Sequence, residues 1–430
     1  MNYLNSSEFA KQLDAADPLG KFRQQFYIPR HNGKEVVYLT GNSLGLQPRA
    51  TQDAILNELE DWANFGVEGH FHARNPWMPY HEQFAKPVSI LVGAKTSEVV
   101  VMNQLTVNLH LLMVSFYRPT PSRFKIICEA KAFPSDQYAL ESQVCFHGLN
   151  PDQTIIEVGP REGEHTIRQE DLLSAIDKHR SELALVLIGG VNYYTGQVFD
   201  MQAITKAGQA AGALVGFDLA HAAGNINLHL HDWNVDFACW CSYKYLNSGP
   251  GSVAGAYIHE RHHTDPAIPR FAGWWGHDKT SRFNMEKGFI PIPTAESWQI
   301  SNAPILSMAA HKASLSVFME AGFDALVAKS KKLTGYLEFI LDDIQNRLLT
   351  QSGIKDKRLE IITPRDPAQR GCQISLLAHG YGKALYHKLL ENGVITDWRE
   401  PNVIRCAPVP LYNSFEDIQR FGQILEDAMK

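Results

Sequence analysis

The sequence has no long apolar segment and no strong excess of one charge. No uninterrupted apolar run approaches the roughly 18 residues that indicate a membrane-spanning helix, and the first residues lack the basic and apolar regions of a signal peptide. The net charge is −6 over 430 residues, so we expect no basic surface that attracts nucleic acid or an anionic membrane. These absences favour a cytoplasmic protein that binds neither partner.

Cysteine is scarce, and its spacing indicates no cross-linked framework. The six cysteines form no Cys-x-x-Cys pair and no regular disulfide pattern. Cys239 and Cys241 are separated by one residue, so in a strand they would share one face. This spacing favours reduced thiols in the core of a cytosolic protein over a metal-binding pair.

The rest of the composition is that of an ordinary globular protein. Hydrophobic residues make up 44% and charged residues 20%, and 430 residues suffice for a large domain and a smaller one. From about residue 98, short apolar runs alternate with amphipathic stretches. The predicted strands are residues 99–102, 125–128, 154–158, 183–188, 214–217, 237–241 and 253–258. This series predicts an α/β fold with a mostly parallel, doubly wound sheet.

Helical patterns between and after these runs predict the domain organisation. Apolar spacing predicts a helix from Leu105 to Tyr117, and Thr166 is the expected N-cap of a later helix, with Gln169 three residues on. A long helical stretch follows Pro304, and residues 374–377 and 403–406 are further strand candidates. We expect an N-terminal segment (1–40) packed on a small domain, a large domain (41–305), and a linking helix with a smaller C-terminal α/β domain (306–430).

Two polar residues at neighbouring strand ends carry the first functional signal. Lys244 follows the apolar run 237–241, and Asp218 ends the run 213–217. A lysine that reaches solvent from a strand end explains the Lys244 window when it is taken alone. Partial burial, however, favours the neutral form of an amine, which Schiff-base chemistry needs. The pair fits a pyridoxal phosphate site, where the carboxylate holds the pyridinium proton and the lysine carries the aldehyde.

Other strand ends add groups that suit the same cofactor, since ligands of open α/β sheets bind at the carboxyl ends of strands. Residues 103–106 begin a helix whose amides could bind phosphate, although capping by Asn103 or Thr106 explains them equally well. Phe133 follows the second strand and could stack on a flat ring. The segment 192–196 follows the fourth strand, and His221 comes shortly after the next.

Two histidine groups offer competing interpretations. Residues 259–263 match the H-E-x-x-H pattern of zinc hydrolases, which requires a helix of at least two turns. The motif directly follows a strand, and Pro266 and Pro269 leave little room for a helix, so a solvated turn is favoured. His70 and His72 are expected to be loop histidines that face a pocket.

Several longer motifs resemble one family over almost the whole chain. The chain resembles the kynureninase family of the fold type I pyridoxal phosphate enzymes, within the class V aminotransferase-like group. The matching motifs are residues 39–45, 103–112, 133–136, 216–222, 236–247, 273–277 and 300–302. The resemblance implies a homodimer whose active sites lie at the subunit interface.

The resemblance also implies residue roles. Lys244 would carry the cofactor and move the Cα proton, and Tyr243 would donate protons. Gly189 departs from the pattern, because relatives carry a hydroxyl residue near the phosphate there, which puts one phosphate contact in doubt. The implied cofactor site is Leu105, Thr106, Phe133, Ser135, Asp136, Asp218, His221, Tyr243, Lys244, Trp274 and Asn302, with Trp274 and Asn302 contributed across the dimer. The implied substrate site is Ser43, His70, His277, Asn302 and Arg405, with Arg405 on the substrate α-carboxylate.

The implied reaction is hydrolysis of the Cβ–Cγ bond of L-kynurenine or 3-hydroxykynurenine. It gives anthranilate or 3-hydroxyanthranilate and L-alanine, within tryptophan degradation by the kynurenine pathway. One alternative is a cysteine desulfurase-like β-lyase, which needs an exposed mobile cysteine, whereas Cys372 and Cys406 lie in strand-like sequence. A second alternative, from another class, is a zinc hydrolase that uses His259 and His263.

Overall fold

The computed structural model describes residues 3–352 and 357–430, and its largest element is a seven-stranded sheet. The strands are β1 (Arg30–His31), β2 (Lys34–Glu35), β3 (Val37–Tyr38), β4 (Val99–Met102), β5 (Lys125–Glu129), β6 (Ile155–Val158), β7 (Leu183–Gly189), β8 (Leu214–Asp218), β9 (Phe237–Trp240), β10 (Ala254–Ile258), β11 (Arg358–Ile361), β12 (Ile374–His379), β13 (Val394–Ile395), β14 (Asp397–Arg399) and β15 (Val403–Cys406). The α-helices are α1 (Ser7–Ala15), α2 (Ala50–Phe65), α3 (Gly69–His72), α4 (Ala85–Val92), α5 (Leu105–Phe116), α6 (Pro134–Phe146), α7 (Pro151–Thr154), α8 (Gln169–Lys178), α9 (Met201–Ala210), α10 (Ile305–Ala321), α11 (Phe323–Ser352), α12 (Gly382–Glu391) and α13 (Phe415–Met429).

The large sheet has the order β4-β10-β9-β8-β7-β5-β6. The five strands from β9 to β6 pair in parallel, while β10 runs antiparallel to both of its neighbours. β7 is a nearly continuous apolar run because side chains on both of its faces are buried. The predicted mostly parallel α/β sheet is therefore confirmed.

A second sheet, with the order β11-β12-β15-β14, is antiparallel throughout. Buried apolar residues of α11, α12 and α13 form a separate core with this sheet. The first 40 residues contribute to both cores, since Ala10 and Leu39 join the second and Phe22 and Phe26 join the first. The division of the chain into three segments stays a prediction.

Two helix boundaries differ from the sequence prediction. The stretch after Pro304 is two helices, because Gly322, with φ of +77°, follows the end of α10. The expected N-cap at Thr166 is wrong, since α8 begins at Gln169. The side-chain amide of Gln197 pairs with both the N–H (2.9 Å) and the carbonyl (2.6 Å) of Ile167, which keeps the chain before the helix extended.

None of the helices within residues 3–352 and 357–430 combines the length and the apolar character that crossing a membrane requires.

Candidate active site

A cavity of about 150 Å³ lies where several strands of the large sheet end. β5 ends at Glu129, β7 at Gly189 and β8 at Asp218, and all three residues line the cavity. The remaining lining residues are Leu105, Thr106, Phe133, Ser135, Asp136, Val191, Tyr193, Ala220, His221, Tyr243 and Lys244. The structure therefore brings together nine of the residues expected at the cofactor site.

Lys244 presents its amine to the interior of this site. Its Nζ lies 3.0 Å from His221 Nε2 and 5.8 Å from the centre of the Phe133 ring. Burial, with Lys244 nearby, holds the pKa of His221 well below its usual range, so the imidazole is neutral. The other ring nitrogen of His221, Nδ1, is buried without a hydrogen-bond partner. A buried polar atom of this kind indicates a missing ligand.

Three buried carboxylates form the far side of the cavity. Burial, and then the adjacent Asp218, raises the pKa of Asp136 well above its usual range. Burial also raises the pKa of Asp218, which the N–H of Ala220 opposes by donating to Oδ1 at 2.6 Å. Burial raises the pKa of Glu129 to about 7. Among the described residues none of the three pairs with a lysine or arginine, so a protonated nitrogen heterocycle suits the site.

The N-terminus of α5 provides an anion site beside the carboxylates. The N-cap residue, Gln104, makes no capping hydrogen bond with its side chain. Asn103 donates to Asn108 Oδ1 at 3.0 Å instead of capping the helix. The first-turn amides of Leu105 and Thr106 are thus suitably placed to receive a phosphate.

The donor set of the cavity fits pyridoxal phosphate. The α5 amides match the phosphate, the half-exposed ring of Phe133 (39%) matches a stacked pyridine, Asp218 matches the pyridinium and Lys244 matches the aldehyde. Tyr243 lies beside Lys244. Burial raises the pKa of its hydroxyl, and the nearby Cys241 raises it further. This hydroxyl therefore keeps its proton at neutral pH and is available as a donor.

A second group of expected residues lies outside this cavity. Trp274 is 44% exposed, and its Nε1 donates to Asn302 Oδ1 at 3.0 Å. His277 accepts from the N–H of Ile290 at 3.0 Å and, with Trp274, lines a separate cavity of about 390 Å³. Within one chain, these residues do not reach Lys244.

His70 also lies outside the Lys244 cavity. It belongs to α3, its Nδ1 lies 2.9 Å from the carbonyl oxygen of Val67, and its ring contacts Trp77. Ser43 lies in a turn close to the lysine, because the N–H of Gly45 donates to the carbonyl of Tyr243 at 2.8 Å.

Arg405 lies directly behind a wall of the cavity. Its side chain is 1% exposed, and NH1 donates to the carbonyl of Tyr193 at 2.7 Å. NH2 pairs with Asp397 at 2.7 Å, while Nε is buried without a partner. Burial lowers the pKa of Arg405, which Asp397 opposes. A buried guanidinium with a free N–H is suited to an anionic ligand.

The sequence prediction missed Glu129 as a lining residue, whereas Tyr193 lies in the segment 192–196 that it placed after the fourth strand. Glu129 is the last residue of β5, so the strand-end rule that selected Asp218 applied equally to it. Gly189 lines the cavity at the point where the resemblance showed a departure. A Cβ at this position would lie 2.7 Å from Glu129 Oε1, so the carboxylate occupies the space of a side chain.

The H-E-x-x-H segment has no zinc-binding geometry. It contains a 3₁₀ helix of only three residues, and His259 Nδ1 accepts from the N–H of Arg261 at 3.2 Å. His263 Nε2 lies 2.9 Å from the carbonyl oxygen of Ile258. The prediction of a solvated turn is also wrong, because His259, His262 and His263 are buried, with His262 2.8 Å from Asp236.

Glu98, His231 and His259 lie together at the edge of the sheet where β4 begins and β10 ends. Glu98 accepts from the backbone N–H of Lys95 and of Glu260, each at 2.9 Å, and lies 3.0 Å from His231 Nδ1. Both carboxylate oxygens therefore have protein partners, which indicates a structural link between segments.

Comparison with known proteins decides the family. The model of "Aminotransferase class-V" matches residues 37–365, and that of "Kynureninase C-terminal domain" matches residues 326–425. The chain is 60% identical over 429 residues to the kynureninase of Flavobacterium johnsoniae, which covers 100% of this chain and 99% of the relative. It is 50% identical over 439 residues to the kynureninase of Nematostella vectensis, with 99% of this chain and 94% of the relative covered. The chain belongs to the kynureninase family.

Solved structures of other members of the fold support the same class. A cysteine desulfurase from Thermococcus onnurineus NA1 has a TM-score of 0.75 at 18% identity, with 95% of this chain and 97% of that chain covered. The cystine C–S lyase C-DES, in complex with cysteine persulfide, has a TM-score of 0.76 at 15% identity, with 91% and 97% covered. At these identities the likeness concerns the fold alone. Membership of the kynureninase family confirms the predicted fold type I class and pyridoxal phosphate as the cofactor.

Proposed function

We propose that the protein hydrolyses the Cβ–Cγ bond of L-kynurenine or 3-hydroxykynurenine, giving anthranilate or 3-hydroxyanthranilate and L-alanine. The observation that carries the proposal is the joint presence of Lys244 and the buried Asp218 in one cavity at the strand ends. Full-length similarity to kynureninases supports this substrate over other amino acids. Pyridoxal phosphate, when bound, supplies an electron sink that makes carbanions at Cα and Cβ of the amino acid accessible.

The residues of the cavity divide the remaining tasks. Lys244 would hold the cofactor in the resting enzyme and, as a free amine, would accept the proton from the substrate Cα. The imidazole of His221, 3.0 Å from that amine, orients it. Burial raises the pKa of Tyr243 and so keeps its hydroxyl protonated, and this hydroxyl, next to Lys244, is the proposed proton donor. Asp218 would stabilise a protonated pyridine nitrogen, and Phe133 would stack on the ring.

Arg405 is proposed to bind the substrate α-carboxylate. Its guanidinium is fixed by Tyr193 and Asp397, while Nε has no hydrogen-bond partner among the residues that the structure describes. A fixed fork with a free N–H binds a carboxylate with directional hydrogen bonds. This contact would orient the amino acid so that its Cα hydrogen faces Lys244.

Replacement of the lysine tests the proposal. Lys244→Ala should lose the cofactor absorbance near 420 nm that is a property of pyridoxal aldimines, and should release anthranilate at less than about a thousandth of the wild-type rate. Normal anthranilate release by this variant would refute the assignment. Steady-state kinetics with kynurenine and 3-hydroxykynurenine would establish which ring is preferred.

We further propose that the protein is a homodimer with shared active sites. Trp274, His277 and Asn302 lie away from Lys244 within one chain, which supports their contribution to a neighbouring subunit's site. The segment around them also exposes large apolar side chains that a second copy could cover. These are Phe271, Trp274, Phe283, Met285 and Ile290.

Mixed dimers test this arrangement directly. Lys244→Ala and Trp274→Ala chains are each expected to be impaired as homodimers. A mixed dimer would hold one site with neither substitution, so an equal mixture should recover about a quarter of wild-type activity. If both residues act within one chain, unfolding and refolding the two variants together recovers no activity.

The remaining assignments follow from the same proposal. A role in tryptophan degradation and a cytoplasmic location are proposed, and the six unpaired cysteines support the latter. The desulfurase alternative is disfavoured, because Cys372 and Cys406 are buried and burial raises the pKa of both thiols, to about 12 for Cys372. Cys145, the one exposed cysteine of the six, does not line the cavity.

A further inference from the structure

The turn that follows β7 is attached to the end of β5 through one side chain. The carbonyl oxygen of the Asn192 amide accepts from the N–H groups of Tyr194 at 3.0 Å and Thr195 at 2.9 Å, and from the Thr195 hydroxyl at 3.0 Å. The amide nitrogen of Asn192 donates to Glu129 Oε2 at 2.7 Å. Both the oxygen and the nitrogen of the Asn192 side chain are thus engaged, and the Glu129 carboxylate fixes the turn relative to the sheet.

Tyr193, in the middle of this turn, contacts residues from both halves of the binding site. Its carbonyl accepts from Arg405 NH1 at 2.7 Å and from Gln373 Nε2 at 3.1 Å. Its ring packs edge-on against Phe133, with the ring centres 5.3 Å apart and the planes at 81°. The Phe133 ring, which is expected to stack on the cofactor, and the Arg405 guanidinium, which is proposed to bind the carboxylate, therefore both contact Tyr193.

Glu129 contacts both Asn192 and Gly189. Its Oε2 accepts from Asn192, and the backbone N–H of Gly189 opposes the rise that burial causes in the pKa of Glu129. The position of Oε1 is possible because residue 189 has no Cβ, which would lie only 2.7 Å away. Gly189 thus leaves room for the carboxylate between two strand ends.

We propose that Glu129 is a positioning residue that acts through Asn192 and the Tyr193 carbonyl to set Arg405 for the substrate α-carboxylate. The inference rests on the proposed function, in which Arg405 binds that group. It assigns Glu129 a task on the amino acid side of the site, although Glu129 itself lines the cofactor cavity. The two effects are separable, because the Asn192 contact can be changed without removing the carboxylate.

A polarity swap tests the proposal in the holoenzyme. Asn192→Asp keeps an oxygen for the turn but replaces the donor to Glu129 with a second carboxylate. Burial raises the pKa of Glu129 to about 7, so the two carboxyl groups share one proton and the neutral amide donor that fixes the turn is lost. This loss predicts an increase of about tenfold in the KM for kynurenine and in the Kd for L-alanine, which carries the same α-carboxylate. The value of kcat should change by less than about threefold, because this carboxylate contact is equal in the ground and transition states.

The double variant Glu129→Gln with Asn192→Asp restores the bond with its direction reversed. The introduced glutamine amide donates through its nitrogen to the introduced aspartate carboxylate, while its oxygen accepts from the N–H of Gly189. Both constants should return to within about threefold of wild type, and hydrogen exchange of residues 192–196, faster in Asn192→Asp, should slow again. Asn150→Asp is the matched control, because Asn150 caps an exposed turn through the N–H of Asp152 at 2.9 Å and does not line the cavity.

The outcomes separate the two proposals. Unchanged alanine binding in Asn192→Asp, or no recovery in the double variant, overturns the positioning role. A loss of pyridoxal phosphate affinity with unchanged alanine binding also overturns it, since Glu129 would then act on the cofactor. If the wild-type holoenzyme does not hydrolyse kynurenine, the proposed function fails, whereas the alanine and exchange measurements still decide the coupling between Glu129 and Arg405.

Discussion

Arg405→Lys is the most direct test of how the site recognises an amino acid. The substitution keeps a positive charge but replaces the planar fork with a single ammonium group. In the structure, Arg405 uses NH1 for the Tyr193 carbonyl and NH2 for Asp397, and its Nε is unpaired. A lysine at position 405 can keep the ion pair with Asp397. It has no planar guanidinium to reach a second partner at the same time, so the hydrogen bond to the Tyr193 carbonyl is lost.

The expected magnitude follows from these contacts. The Tyr193 carbonyl keeps its hydrogen bond from Gln373 at 3.1 Å, so no buried acceptor is left unpaired and the loss of stability should be about 1 kcal/mol. A substrate carboxylate that loses the charge-assisted hydrogen bond from Nε loses about 1.5–3 kcal/mol of binding. This corresponds to an increase of about 10- to 150-fold in KM for kynurenine, with a smaller change in kcat.

Steady-state kinetics and L-alanine binding measure this change, and urea unfolding measures the stability. Arg399→Lys is the matched control, since Arg399 also pairs with Asp397, with its Nε 3.2 Å from Oδ1, but its side chain is 34% exposed. We expect less than about threefold change in KM for this control. An unchanged KM in Arg405→Lys, or an equal effect in Arg399→Lys, would refute Arg405 as the carboxylate-binding residue.

Three further substitutions probe other parts of the molecule. Asp218→Asn should lower kcat by at least about a hundredfold, because a neutral partner no longer stabilises the protonated pyridine; stopped-flow absorbance would follow the loss of Cα proton transfer. Phe133→Leu should weaken cofactor binding about three- to tenfold through loss of ring stacking, as dialysis and absorbance would measure. Burial alone would raise the pKa of Glu296, but hydrogen bonds from His81 and Lys279 lower it from 4.5 to about 2. The stability that the ionised Glu296 gives the fold is therefore present above pH 4.5 and is lost as the pH falls towards 2. Glu296→Gln should therefore lower the free energy of unfolding by about 3 kcal/mol at pH 7, and the difference from wild type should close in acid.

The central sheet could be predicted from the sequence because its strands are buried on both faces. Runs such as 183–188 and 214–217 are continuously apolar, which leaves few alternatives to a covered parallel sheet. The start of α8 was predicted wrongly, since local capping signals favoured Thr166, whereas the distant amide of Gln197 keeps the preceding chain extended. Tertiary contacts of this kind cannot be predicted from the spacing of residues near the helix start.

The cofactor side of the site was predictable for a related reason. In a parallel sheet the carboxyl ends of the strands meet at one edge, so Asp218 and Lys244 could be placed together before any contact was known. His262 was misjudged because its partner, Asp236, is 26 positions away in the sequence. The contact of Arg405 with Tyr193 was likewise invisible, since the two residues are 212 positions apart.

Within one chain, the residues expected on the substrate side of the site do not all line the Lys244 cavity. The Lys244 cavity is also lined by Tyr193, whose carbonyl accepts a hydrogen bond from Arg405. The aryl ketone of the proposed substrate needs further contacts. His277, which the resemblance assigns to the substrate site, lines a separate and partly exposed cavity. If mixed dimers recover activity, the site is complete only in the assembled dimer. Dilution below the dimer dissociation constant should then abolish hydrolysis of kynurenine, and concentrating the protein again should restore it.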